Sequence, residues 1–242
     1  MNDGLRGALV KVGTFVATVV LLVLFVFAMF RAVGLPVSAG WIGRTLTGQL
    51  GVSKFDGEPV LQLILERMPA SLELVVGSIV IALVCGLLVG AVVRRSPQGV
   101  RRTVEFVGLA LKSVPAFWLV LFAQMWVATH MHVDVAGLAG TDRFDLGDRL
   151  VHLVLPATLL ALVLIPAVVE WAVARPRPAP LVAILARRLP TVFAIGFLVE
   201  VLFAWPGEGR LFFHSGLLSV LGVLLVYSVF AIGARTVVAS DV

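Results

Sequence analysis

The sequence predicts an all-α integral membrane protein of six transmembrane helices with both termini on the inner side. Three observations predict it. Hydrophobic residues make up 60% of the 242 and charged residues only 14%, against about 25% charged in an average soluble domain. Apolar runs long enough to cross a bilayer recur along the chain, and a crossing helix needs about 20 such residues. The basic residues gather in particular loops between those runs, which is how membrane orientation is set. A soluble globule of this size does not bury so much apolar surface. An ordinary soluble enzyme, a disordered chain and a disulfide-stapled secreted domain are therefore excluded. Cys85 is the single cysteine and lies in an apolar run, so no intrachain disulfide forms. The excess of 19 Lys+Arg over 14 Asp+Glu reads as a topology signal, not as nucleic-acid binding, because the bases lie between apolar runs.

The spans are read in order as 10–30, 72–93, 106–128, 151–173, 189–204 and 212–234. Each is expected to be helical, because lipid cannot satisfy backbone polar groups. Arg6 and Lys11 before the first run, and Val37-Ser38-Ala39 after it, also fit a cleaved signal peptide. The 19-residue run 12–30 is too long for that and favours a true span. Gly86 and Gly90 in the second span form a GxxxG packing face. Pro115 in the third span, and Pro156 and Pro166 in the fourth, each remove a helix donor and can kink the helix. The fifth span has 16 residues, roughly 24 Å of helix and short of a roughly 30 Å core. The chain divides into residues 1–71, the first span with a short external segment, and 72–242, a core of five spans.

Loop charges set the orientation. The 94–102 loop holds Arg94, Arg95, Arg101 and Arg102, and the 174–188 loop holds Arg175, Arg177, Arg187 and Arg188, both without an acid. The 129–150 loop holds Asp134, Asp142, Asp145 and Asp148 against Arg143 and Arg149. The basic loops are expected inside.

Polar residues within spans are the candidates for function. Lys112 lies midway in the third span, with Glu105 seven residues earlier on the same face, either as a buried charge pair or as a snorkelling Lys and an interfacial Glu. Glu73 and Glu170 stand near span ends. Glu200 lies inside the fifth span, five residues before Trp205. His130 and His132 lack an obvious third metal ligand, and no HExxH, CxxC, Walker A or GxSxG string is present. No nucleophile–base constellation points to an intramembrane enzyme. The run Ala174-Arg175-Pro176-Arg177-Pro178-Ala179-Pro180 cannot be helical throughout, whereas 181–189 can. This loop is either a docking element on the inner side or a cluster of charge that only sets topology.

Several strings read together as a family. Gly48-Gln49-Leu50-Gly51-Val52-Ser53 with Pro59-Val60 comes first, then Arg67-Met68-Pro69-Ala70-Ser71-Leu72-Glu73-Leu74. Ser113-Val114-Pro115-Ala116-Phe117-Trp118-Leu119 and Leu155-Pro156-Ala157 follow. Last comes Glu200-Val201-Leu202-Phe203-Ala204-Trp205-Pro206-Gly207-Glu208-Gly209-Arg210-Leu211. In this order they resemble the permease subunits of bacterial ABC importers for dipeptides, oligopeptides and nickel. Gln49 stands where the family usually has an acid. Trp205 fits the membrane boundary, where aromatics favour the interface, and Pro206-Gly207 fits a turn.

The resemblance implies an importer-permease bundle in a bacterial inner membrane. Its half of the path would serve peptides or a similar small solute. It implies a heterodimer with a second permease, two ATPase subunits and an external substrate-binding protein. ATP and magnesium would belong to the ATPases, and this chain would carry no catalytic residue, cofactor or metal. Lys112, Ser113, Pro115, Phe117, Trp118, Glu200, Trp205, Pro206 and Gly207 are the path or gate candidates. Arg175, Arg177, Leu181, Leu185, Arg187 and Arg188 are the ATPase-docking candidates. The family's Ala-rich, Gly-containing coupling string after the fourth span is replaced here by the Pro-rich run. The alternative is thus a non-transporting scaffold or regulatory subunit derived from such a permease.

Overall fold

The computed structural model describes residues 3–32, 34, 37–53, 57–130, 146–174, 180–211, 222–223, 225–229 and 233. Those residues are overwhelmingly helical. The helices are α1 (Asp3–Ala32), α2 (Gly40–Leu46), α3 (Val60–Arg95), α4 (Gln98–Ser113), α5 (Ala116–His130), α6 (Leu146–Ala161), α7 (Ile165–Val173) and α8 (Leu181–Leu202), followed by a 3-10 turn at Glu208–Arg210. The chain divides into two compact units, Met1–Glu66 with Leu211–Val242, and Arg67–Arg210.

In the first unit, α1 is apolar over Leu9–Ala32, 24 residues, enough to cross a bilayer. Its Phe30 meets the Trp41 ring of α2 edge-on at 5.2 Å, and Phe27 stacks on the same ring at 6.2 Å. The chain then doubles back. Val52 bridges Pro59, Ser53 N–H donates to the Glu58 carbonyl (2.8 Å), and Val60 N–H donates to the Gly51 carbonyl (2.9 Å). Val60 and Ile64, fully buried, open α3. Most of the predicted sixth span, 212–234, lies outside the described residues; 222–223, 225–229 and 233 are helical.

In the second unit, α3 packs on α6 and α7 through its glycines. A Cβ at Gly86 would stand 2.7 Å from Val168 Cβ, and one at Gly90 would stand 2.5 Å from Ala172 Cβ. The GxxxG face expected from sequence is thus a real helix contact. α8 packs against α5, α6 and α7, and α4 against α7. Leu160, Leu164, Val168, Val192 and Val199 fill the centre with almost no exposure.

Three expectations are corrected. The third span is not one helix: α4 and α5 meet at 94°. The Pro115 ring crowds the residue before it, and Val114 leaves the helix at φ −77°, ψ 125°. The fourth span is likewise broken, with α6 and α7 at 59° and Pro166 in the first turn of α7, where a missing N–H costs nothing. The fifth span is not undersized. Residues 181–189 run on into most of the predicted 189–204 as one helix, α8 (Leu181–Leu202), of 22 residues, about 33 Å. Pro190 sits inside it without breaking it. Among the described residues, three helices are long and apolar enough to cross a membrane, or up to five if each bent pair is one span.

Gly86→Ala and Gly90→Ala are each expected to lower the unfolding midpoint in detergent. The overpacking costs about 1–3 kcal/mol and outweighs the roughly 1 kcal/mol that Ala gains over Gly in a helix. Gly99→Ala, which meets open space, is expected to leave the midpoint unchanged or raise it. A midpoint scan of the three variants checks this.

Candidate functional site

The densest polar construction in the second unit is built around Glu200, near the C-terminus of α8. The helix ends in a paired closure. Ala204 N–H donates to the Val201 carbonyl (3.3 Å) and Trp205 N–H to the Glu200 carbonyl (2.8 Å). Ala204 takes φ +49°, the left-handed conformation that this closure needs. Gly207 N–H then donates to the Trp205 carbonyl (2.8 Å), a three-residue turn about Pro206, so the Pro206-Gly207 turn is confirmed.

This turn folds back over the Glu200 side chain, which is 1% exposed. Gly209 N–H donates to Glu200 Oε2, and the Ser71 hydroxyl donates to the same carboxylate. Ser71 Oγ accepts from Glu208 N–H (2.9 Å), and Trp205 Nε1 donates to the Ala70 carbonyl (2.9 Å). The tail of α8 is thereby fastened to residues 70 and 71 of α3, just after Pro69. Both glycines are required by close approach. A Cβ at Gly207 would lie 2.6 Å from Glu200 Oε1, and one at Gly209 would collide with the Phe197 carbonyl. Trp205 is 1% exposed: its ring packs inside the protein and its N–H donates to backbone.

Glu200, Trp205, Pro206 and Gly207 are therefore one assembly. Lys112, Ser113, Pro115, Phe117 and Trp118 form another, at the α4–α5 break. Ser113 Oγ donates to the Leu109 carbonyl (2.8 Å). Trp118 meets Phe117 at 5.4 Å and Phe122 at 5.5 Å, and Phe117 and Trp118 are each a little under half exposed. Lys112 does not pair with Glu105. It donates to Glu170 Oε1 of α7, and Glu105 instead takes Arg101 at 3.0 Å. In a membrane protein, pairing lowers the cost of both charges. A cavity of about 420 Å³ between α3, α4 and α7 is lined by Val89, Val93, Gly108, Leu111, Pro166 and Glu170.

Of the docking candidates, Leu181, Leu185, Arg187 and Arg188 lie on the first turns of α8, with both arginines exposed. Arg175 and Arg177 lie outside the described residues, as do His132, Asp134, Asp142, Arg143 and Asp145. His130 stacks on Trp126 at 5.2 Å. Among the described residues no three His, Cys, Asp or Glu gather as metal ligands.

Sequence reasoning missed three partners. Arg149 holds Glu73 through Nη2–Oε2 at 2.6 Å and Nε–Oε1 at 2.9 Å. Gln124 Nε2 donates to the Leu202 carbonyl, one of the carbonyls a helix end leaves open. Ser71 is the third. None carries a local signal, because each partner sits on a distant element.

Gly209→Ala is expected to cost about 2–3 kcal/mol of stability, and Ala204→Gly to gain about 1 kcal/mol by relieving the left-handed residue. Gly207→Ala is expected to cost less in a Glu200→Ala background than in the native chain, because its Cβ collides with the carboxylate itself. Detergent melts of the single and double variants check this, and additive costs would separate the two residues.

No protein-family model matches the chain. Curated relatives do. The oligopeptide transport system permease protein AppB of Bacillus subtilis (strain 168) is 27% identical over 213 aligned positions, covering 72% of this chain and 66% of the relative. The dipeptide transport system permease protein DppB of Escherichia coli (strain K12) is 24% identical over 229, covering 70% and 66%. The chain thus spans 66% of the length of these relatives. With its membrane-length apolar helices, this multi-pass membrane protein is a distant homologue of the permease proteins of bacterial oligopeptide and dipeptide transport systems.

Proposed function

We propose that the chain is a permease subunit of an ATP-driven importer, forming half of the path for peptides or a similar small solute. The similarity to AppB over 72% of the chain carries this reading. Six spans with both termini inside complete it. The acid-free clusters Arg94, Arg95, Arg101, Arg102 and Arg187, Arg188 support that orientation. The chain pairs with a second permease, and two ATPase subunits bind ATP and magnesium. An external binding protein delivers the solute, and this subunit performs no bond chemistry.

Transport requires two packings of the helices, each favoured by a different ligand state. The 94° break at Pro115 supports Lys112, Ser113, Pro115, Phe117 and Trp118 as path or gate residues, because a short non-helical joint is where a helix pair can reorient. Glu200, Trp205, Pro206 and Gly207 act as a fixed post beside the path. Arg175, Arg177, Leu181, Leu185, Arg187 and Arg188 receive the ATPase. The second reading is a scaffold or regulatory subunit that binds no ATPase. The Pro-rich run 174–180, in place of the expected coupling string, favours it.

Purification of the tagged chain from its own membrane in mild detergent is expected to recover an ATPase and a second permease in comparable amounts. Arg187→Glu/Arg188→Glu is expected to lose most of the ATPase while keeping the second permease. Recovery without any ATPase, under conditions that keep a related importer assembled, would leave the scaffold reading. In a Cys85→Ser background, Gly99→Cys is expected to label only from the inner side of the membrane.

A further inference from the structure

Residues 94–105 carry four arginines and one acid, an excess of three positive charges. Arg94 and Arg95 close α3, and Arg101 and Arg102 stand near the start of α4. All four are exposed. Cations in the opening turns of a helix oppose its dipole, so the stability of α4 does not account for Arg101 and Arg102.

Beside this corner lies the cavity of about 420 Å³ between α3, α4 and α7, within the range that binds small molecules. Val89 and Val93 of α3, Val104, Val107 and Leu111 of α4, and Pro166 of α7 make it apolar, and Arg101 stands on its wall. Its two acids are already matched: Glu105 takes Arg101 at 3.0 Å, and Glu170 takes Lys112. Val89 lies six residues before Arg95, about 9 Å of helix, so cationic corner and apolar cavity adjoin.

α4 itself is amphipathic. Val100, Val104, Val107 and Leu111 recur at helical spacing as one stripe, with Arg101, Arg102, Glu105 and Lys112 on the other side. No residue of α4 is buried, so the second unit leaves that stripe uncovered, although Val104, Val107 and Leu111 line the cavity. Residues 175–179, which lie outside the described residues, read Arg-Pro-Arg-Pro-Ala. They can supply neither an acid for the arginines nor a long apolar side chain for the cavity.

We propose that this corner binds an anionic phospholipid, its headgroup phosphate among Arg94, Arg95, Arg101 and Arg102 and one acyl chain in the cavity against Val104, Val107 and Leu111. Basic clusters at the end of a membrane helix select anionic over zwitterionic headgroups, and the apolar cavity selects a lipid over a soluble phosphate. Binding needs no ATPase and no transported solute, so the proposal stands or falls apart from the transport reading.

The full chain in neutral detergent is titrated with phosphatidylglycerol, with phosphatidylcholine and with glycerophosphoglycerol, which is the first headgroup without its chains. Bound molecules are counted by native mass spectrometry. One phosphatidylglycerol is expected to bind ahead of phosphatidylcholine, and glycerophosphoglycerol is expected not to bind. Arg101→Gln/Arg102→Gln is expected to weaken phosphatidylglycerol about thirtyfold and to leave phosphatidylcholine unchanged; Arg94 and Arg95 remain to hold the orientation. Gly108→Leu sends a side chain into the cavity from a position where a Cβ meets only ordinary contact, 3.7 Å from Pro166 Cβ. It is expected to weaken the same lipid about tenfold, the loss of roughly two buried methylenes. Glu105→Gln is expected to strengthen it severalfold, a gain that a misfolded variant would not give. Equal retention of the two lipids, or a phosphatidylglycerol count that either weakening variant leaves unmoved, would overturn the proposal. Binding of glycerophosphoglycerol would reassign the corner to a soluble phosphate. Release of a co-purified subunit by the arginine variant, with the lipid count unchanged, would make it a protein interface instead.

Discussion

The second unit is organised around the buried carboxylate of Glu200. Glu200 is an acid within a membrane-length helix, and a buried acid must be hydrogen-bonded to persist. Its donors, Gly209 N–H and the Ser71 hydroxyl, come from outside its own helix. To reach it, the chain after α8 must reverse within a few residues. The reversal explains the left-handed Ala204, the turn at Pro206 and the two positions that admit only hydrogen as a side chain. Trp205 follows from the same geometry, since the reversal aims its N–H at Ala70. Ala204, Trp205, Pro206, Gly207 and Gly209 thus all answer to the burial of the Glu200 carboxylate.

The prolines show how far local chemistry determines a helix. Pro69, Pro156 and Pro190 sit inside continuous helices, whereas Pro115 and Pro166 stand at breaks. The missing N–H is common to all five, so it cannot decide the outcome. At Pro115 the preceding turn closes by itself, through Ser113 Oγ on the Leu109 carbonyl and Val114 N–H on the Ala110 carbonyl. α4 is a finished helix before the proline is reached. At Pro190 the helix is flanked by α5, α6 and α7, and packing of the kind that stabilises most helices holds it together.

This difference marks what the sequence could and could not reveal. Membrane-length apolar runs, the Gly86–Gly90 face and the Pro206-Gly207 turn follow from composition and short spacing, and each is legible in the chain. The sequence leaves Glu105 either paired with Lys112 at seven residues or interfacial, while the partner at four, Arg101, is the one a helix surface favours and the structure shows. Lys112–Glu170 and Glu73–Arg149 join positions 58 and 76 residues apart, and no periodicity connects them. The Glu200 string was visible as a motif, but its partner Ser71 was not. Its physical meaning therefore could not be read from one strand of the chain.

The continuity of α8 changes what coupling would demand on the transport reading. With 181–189 as a separate helix, a push from an ATPase would have to pass through a joint. As built, Arg187 and Arg188 lie on the same helix as Glu200, a span of 22 residues without a break. A displacement at the first turns reaches the last turn undiminished, because helices bend far less easily than loops. There it meets the lock to Ala70 and Ser71, so α3 must follow or the buried carboxylate must lose its donors. A bonded connection of this kind has few intermediate positions, which is the condition for two discrete packings. The Pro-rich run before Leu181 then need not transmit force; it only has to leave the end of α8 accessible.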